Sequence, residues 1–235
     1  MLKKIAPVDV STLQDRIYER LKGSLLVGEF QPGDTLSIKA LAEMVGTSAM
    51  PVRDAMNRLV AEEALVRSPD RLIRVAPFTR EICDEHIRIR MHLEGLAAQR
   101  ACRSPDRAQL VVRLRAINRA MFDAIEDADI RRAVEANKDF HFAIFEAARY
   151  PQLLQVVSRL WLRTGPFVAT ARRKPSDARQ MFATGFKFHD RVIAAIAKAD
   201  VKSARYALSG DIRTATHWLQ KNYDFRDDEA TPANG

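Results

Sequence analysis

Apolar residues recur at three- and four-residue spacings along most of the chain, and the places where that rhythm breaks mark its organisation. Residues 11–27 put Leu13, Ile17, Leu21 and Leu25 on one face. This predicts an amphipathic helix closed by Gly28, and the following "EFQPGDTL" carries turn chemistry. A second helix starts at Ser37, with Ile38, Leu41, Ala42 and Val45 on one face, and Gly46 supplies a left-handed turn. In "TSAMPVRDAMNRLVAEEAL" a proline interrupts helical spacing, although proline inside a helix costs about 3 kcal/mol. With Ser48 as N-cap, Pro51 falls in the first turn, where backbone N–H groups have no intrahelical partner and proline removes nothing. Val52, Met56, Leu59 and Val60 then form a buried stripe, while Ala49, Arg53 and Asn57 lie on another face. Finally "ALVR" and "RLIRVA" flank "SPD" and predict a hairpin. Helix, helix, turn, helix, hairpin is the layout of a winged helix-turn-helix.

Pro77 closes that unit, and the pattern beyond it is purely helical out to residue 222. Helices are predicted at about 79–101, 105–127, 130–149, 151–170, 176–198 and 201–222, broken at "RSPDR", "DAD", "RYP", "RRKPSD" and "KAD". The expected fold is mainly α. Residues 1–77 form a winged helix-turn-helix with a small hairpin, residues 78–222 an all-helical bundle, and residues 223–235 a polar, disordered tail.

Composition narrows the function classes. A 235-residue chain with 47% hydrophobic and 29% charged residues buries a real core. No apolar run approaches the roughly 18 residues of a membrane span, and "MLKKIAPVDV" lacks the apolar core of a signal peptide, so a cytoplasmic protein without membrane partners is expected. Cys83 and Cys102 lack metal-ligand spacing and are expected as buried thiols. The net charge of +8 does not locate a nucleic-acid site, because residues 1–78 hold 11 basic against 10 acidic side chains. Local geometry must locate it instead.

A helix-turn-helix wants a small residue in its first helix, a glycine at the turn and a branched apolar residue in its second; Ala42, Gly46 and Val52 supply them. The stretch "PGDTLSIKALAEMVGTSAMPVRDAMNRLVAEEAL" resembles the N-terminal domain of the GntR family of bacterial transcription regulators, through Pro-Gly, Leu-Ala, Ser-x-x-Pro-Val-Arg-x-Ala and Arg-Leu. The resemblance implies a homodimer placing two recognition helices on a palindromic operator in double-stranded DNA. It puts Arg53 at the base-contacting arginine and Lys39 at a basic position of the preceding helix; Ser48, Met50, Asn57 and Arg71 complete the candidate DNA set. Two departures stand out. Ala49 replaces a second DNA-contacting arginine, and Glu63 with the "SPDRL" wing replaces the usual glycines. Arg74 is a further wing charge within reach of phosphate.

In the second half, "NKDFHFAIFEAA" sets Asn137 and His141 at i and i+4, the spacing that lets two side chains share one ion. His189 and Asp211 follow on later helices. By itself such a pair is ordinarily a satisfied polar pair. This half also resembles the FCD-type effector domain of the FadR subgroup, whose metal-binding members carry Asp-x-x-x-His, His-x-x-Ile and a further His. The resemblance implies a divalent metal (zinc, nickel or manganese) on Asn137, His141, His189 and Asp211. Asn and Asp there replace Asp and His but keep oxygen donors. "RMHLEG" (90–95) matches the subgroup's Arg-x-x-Leu-Glu, and Arg90 is placed to pair with a small organic acid effector. His86, His92 and His217 match no ligand position and are expected at the surface or in packing. The expected function is a ligand-responsive regulator, read as a repressor. Two rivals remain at this level: an enzyme built on a two-His, one-carboxylate site, and a DNA-binding protein with an inert helical bundle.

Overall fold

The computed structural model describes residues 12–173 and 175–225, so the first eleven residues and nearly all of the expected polar tail lie outside the described residues. The first helix, α1 (Leu13–Leu26), opens with a capping box. Thr12 accepts from the Asp15 backbone while Asp15 reaches back to the Thr12 N–H, and Gly28 beyond the helix end takes φ 67°. Next come β1 (Thr35–Leu36), α2 (Ile38–Val45), α3 (Ala49–Ala61), β2 (Leu65–Arg67) and β3 (Ile73–Val75). Gly46 ends α2 in the left-handed conformation at φ 68°, and Ser48 is the N-cap residue of α3. Its hydroxyl accepts no backbone N–H, so Ser48 marks the helix start without stabilising it.

The wing holds one element the hydrophobic pattern did not predict. Thr35 and Leu36, inside the segment read as turn, form an antiparallel strand on the outer side of β3, giving the order β1-β3-β2. A two-residue strand has no periodicity to read; it exists because Gly33 N–H donates to Val75 O and Val75 N–H to Asp34 O. The glycine replacements also resolve. Glu63 (φ 60°) and Arg71 (φ 63°) hold the left-handed conformation without a glycine.

Six long helices follow: α4 (Arg80–Ala101), α5 (Arg107–Glu126), α6 (Ile130–Ala147), α7 (Pro151–Arg173), α8 (Pro175–Ala197) and α9 (Val201–Asn222). α9 packs between α4 and α8, while α5 rests on α6 and α8. The predicted tail begins too early. Phe225 is buried against Phe167, and Tyr223 meets both rings edge-on, because two aromatic residues here outweigh the surrounding charge.

The two halves share a continuous core through α1 and α7. The contact is close enough to need a glycine, since a Cβ on Gly165 would stand 2.1 Å from the Leu25 carbonyl oxygen. α7 also carries Pro166 inside the helix. The joint itself is packed: Phe78 is buried against Phe167 and His86, and Arg163 donates to the Pro77 carbonyl at 3.0 Å.

Candidate metal centre and nucleic-acid interface

The first turns of α3 face outward because its apolar stripe of Val52, Ala55, Met56 and Leu59 is fully buried against the rest of the winged unit. That burial leaves Ser48, Met50, Arg53 and Asn57 exposed, with Met50 at 61% exposure. Lys39 is exposed on α2. Arg53 and Lys39 make no ion pair among the described residues. Asn57 is engaged: its side-chain oxygen accepts from Arg67 of β2, a residue sequence reasoning did not single out. The wing's two arginines separate. Arg71 is exposed at the tip, whereas Arg74 holds Thr35 at 2.7 Å and Asp70 at 2.9 Å and so fastens the wing together. The Asp70 carboxyl is held down to about 2 by its bonds from Ser68 and Arg74.

Inside the bundle, α6, α8 and α9 bring His141, His189 and Asp211 together. One ligand atom from each lies within 4.8 Å of the others, and all three residues are buried. Asn137, one turn before His141, lines the same cavity of about 50 Å³, together with Arg90, Trp161 and Gly185. A Cβ at Gly185 would press within 3.1 Å of Asp211 Oδ1, so that glycine clears room for the carboxylate.

The hydrogen bonds fix which nitrogens are turned toward one another in the cluster. Asn118 donates its amide to Asp190 at 2.9 Å, which turns its oxygen toward His189 Nδ1 at 3.1 Å; Nδ1 is therefore the protonated nitrogen of that ring. His189 Nε2 then offers a buried lone pair that accepts no hydrogen bond. Its nearest charged neighbour, Asp211 Oδ2 at 3.9 Å, is another acceptor. His141 Nδ1 donates to Glu94 Oε2 at 2.8 Å, and Nε2 points at Asp211 Oδ2 at 3.1 Å. Two imidazole nitrogens and a carboxylate thus converge with no donor among them except a proton on His141. That arrangement suits a cation. Both rings have their outer nitrogen held by an oxygen, as in protein metal sites.

Electrostatics follow the same logic. Burial depresses the His189 pKa to about 3, overriding the pull of Asp211, so the ring is neutral. For His141 burial also pulls downward, but bonds and charges from Asp211 and Glu94 outweigh it and the pKa is raised. Glu94 is fully buried; desolvation opposes its charge, yet Arg90 and His141 hold it at about 2. Arg90 donates from Nε to Glu94 at 2.6 Å and lies over the Trp161 ring, whose Nε1–H also donates to Glu94. The expected effector arginine is therefore partly committed, leaving its terminal nitrogens for other partners.

Sequence reasoning missed Glu94 and Asn118 as orienting residues. Glu94 stands in the quoted "RMHLEG" at i+4 from Arg90, and Asn118 interrupts the apolar stripe Leu110, Leu114, Met121 and Ile125; a polar residue on a buried stripe is the available signal. Among the other histidines, His92 and His217 are exposed as expected. His86 is a packing residue, 8% exposed, because α4 turns that position toward Phe78. Cys83 and Cys102 are buried free thiols; burial pushes Cys83 up to about 11 and raises Cys102. No helix among the described residues is long and apolar enough to cross a membrane.

Comparison with known proteins joins the two halves. Residues 13–75 match the family described as bacterial regulatory proteins, gntR family, and residues 85–214 match the FCD domain. The HTH-type transcriptional regulator McbR of Escherichia coli (strain K12) is 30% identical over 209 residues, spanning 87% of this chain and 91% of that protein. The solved structure of E. coli McbR/YncC superposes with a TM-score of 0.83 at 27% identity, covering 92% of this chain and all of the other. A putative GntR regulator from Rhodococcus sp. RHA1 shares the fold at a TM-score of 0.73 and 16% identity, over 90% of this chain and 99% of that one. These relatives are named as regulators rather than enzymes, and the chain belongs to the GntR family of transcriptional regulators, with a DNA-binding winged helix-turn-helix followed by an FCD domain.

Proposed function

We propose that the chain is a cytoplasmic, homodimeric repressor whose FCD domain binds a divalent cation (zinc, nickel or manganese) and senses a small organic acid beside it. The observation that carries this reading is the buried His189 Nε2, which has no hydrogen-bond partner among the described residues and lies within 4.8 Å of ligand atoms of His141 and Asp211. His141, His189 and Asp211 would hold the ion, and Asn137 would add its amide oxygen. When bound, the cation supplies a positive, Lewis-acidic anchor for an anionic oxygen. Glu94 and Asn118 keep the two rings aimed, and Arg90, whose Nε is bound to Glu94, lines the cavity beside His141 and Asp211. At about 50 Å³, and with ~10–15 Å³ needed per water-sized group, the cavity suits an acid of only a few heavy atoms unless its walls move.

On the DNA side, Arg53 would read a base edge and Lys39 a phosphate, with Ser48, Met50, Asn57 and Arg71 along the same surface. One recognition helix spans few base pairs, so a palindromic operator calls for two copies of the chain. The test is elemental analysis of the purified protein. Near-stoichiometric divalent metal is expected in the wild type and its loss in the folded His141→Ala/His189→Ala variant. Equal metal content in both would refute the site.

A further inference from the structure

A second cavity, of about 260 Å³, lies between the two halves and is separate from the metal pocket. One wall is the end of the recognition helix, with Glu62 and Glu63; the other is α4 and α7, with His86, Arg159 and Arg163. The bundle wall is rich in unmet donors. Arg163 spends one terminal nitrogen on the Pro77 carbonyl, but its buried Nε finds no acceptor among the described residues. His86 is 92% buried, and among the described residues neither ring nitrogen makes a hydrogen bond; the Ile82 carbonyl one turn back lies near but outside bonding geometry. Burial keeps that ring neutral, so it can donate one N–H without adding charge. Buried donors without acceptors are costly, and a ligand oxygen would relieve that cost.

The opposite wall has the opposite sign. Glu63 is exposed at the rim and forms no ion pair among the described residues, and the carbonyl end of α3 adds its negative dipole. Glu62 is already occupied by the Tyr18 hydroxyl at 2.8 and 2.9 Å. Between the charged walls, Ala61, Val156 and Leu160 form an apolar strip.

We infer that this interdomain cavity binds a small zwitterion with an apolar side chain, of the α-amino acid class. Its carboxylate meets Arg163, His86 and Arg159, its ammonium meets Glu63, and its side chain lies along Val156 and Leu160. At ~10–15 Å³ per heavy atom the volume of about 260 Å³ accepts roughly 17–26 heavy atoms, room for any apolar α-amino acid. Because α4 and α7 also carry Arg90 and Trp161 of the metal pocket, the two cavities share their walls. The inference does not rest on metal binding.

The test is titration calorimetry of the full-length protein with the proteinogenic L-amino acids. For the tightest one, the same titration uses the analogue lacking the amine and the analogue lacking the carboxylate. The inference expects saturable binding of at least one apolar amino acid, weakened tenfold or more by loss of either group. Arg163→Gln and Glu63→Gln should each weaken it tenfold or more while keeping wild-type metal content. Glu63 is exposed, so that variant tests the site even if Arg163→Gln fails to fold. Three results would overturn the inference: no amino acid binding, equal binding of the analogue without the amine, or loss of binding in His141→Ala/His189→Ala, which would place the ligand in the metal pocket.

Discussion

His141 sits between two buried carboxylates, at 2.8 and 3.1 Å from its two nitrogens, which raise its pKa and favour a proton on both nitrogens of the cation-free ring. His189, with its pKa depressed to about 3, carries none on Nε2. An ion taking both nitrogens must therefore expel the His141 proton alone. Uptake at pH 7 in weak buffer should release about one proton per ion, and affinity should fall about tenfold for each unit the pH is lowered. Release of two protons, or of none, in a pH-indicator titration would contradict these protonation states. Arg53, exposed and without an ion pair among the described residues, is the residue proposed to read the operator. If it grips a guanine edge, Arg53→Ala should cost about 1–3 kcal/mol in operator binding and relax preference at one base pair per half-site, read by competition with point-substituted duplexes.

At the level of elements, the breaks between helices were legible, but their backbone conformation was not. "DAD" and "KAD" stop α5 and α8 as predicted, yet Ala128 and Ala199 do so at φ 55°, a conformation glycine normally takes. A Cβ in the left-handed region costs about 1–2 kcal/mol, so Ala128→Gly and Ala199→Gly should each stabilise the protein by about 1 kcal/mol in urea unfolding. β1 was illegible for a different reason: its two residues are placed by backbone bonds to β3, which no side-chain pattern records. Gly165 was equally silent, since only the approach of α1 gives it a purpose. Gly165→Ala should destabilise by about 1–3 kcal/mol, because the clash is with backbone that cannot rotate away. Wild-type stability in that variant would mean that α1 and α7 pack less closely than the structure has them.

Across the whole molecule, the order of units could be read from the helical period, whereas the grouping of His141, His189 and Asp211 was implied by the resemblance to the FCD-type domain and not by spacing. The partners that aim them could not be read, since Glu94 and Asn118 arrive from helices whose neighbours are set only by the tertiary packing. That packing also bears on regulation. At the joint Ala76 and Phe78 are buried and the Pro77 carbonyl is tied to α7, so under the proposed function a change at the pocket would reach the winged unit through α4 and α7 rather than through a loose linker. An acid can release the operator only by binding the DNA-free form more tightly, and the coupling must be reciprocal. A tenfold loss of operator affinity, about 1.4 kcal/mol, requires an equal loss of acid affinity on operator-bound protein. The most direct measurement is operator affinity with and without a panel of small carboxylic acids, for metal-loaded wild type beside His141→Ala/His189→Ala. At least one acid should weaken operator binding by the wild type tenfold or more, while the variant binds the operator with similar affinity and does not respond. An equal response in the variant, or no response to any acid in the wild type, would contradict sensing through this pocket.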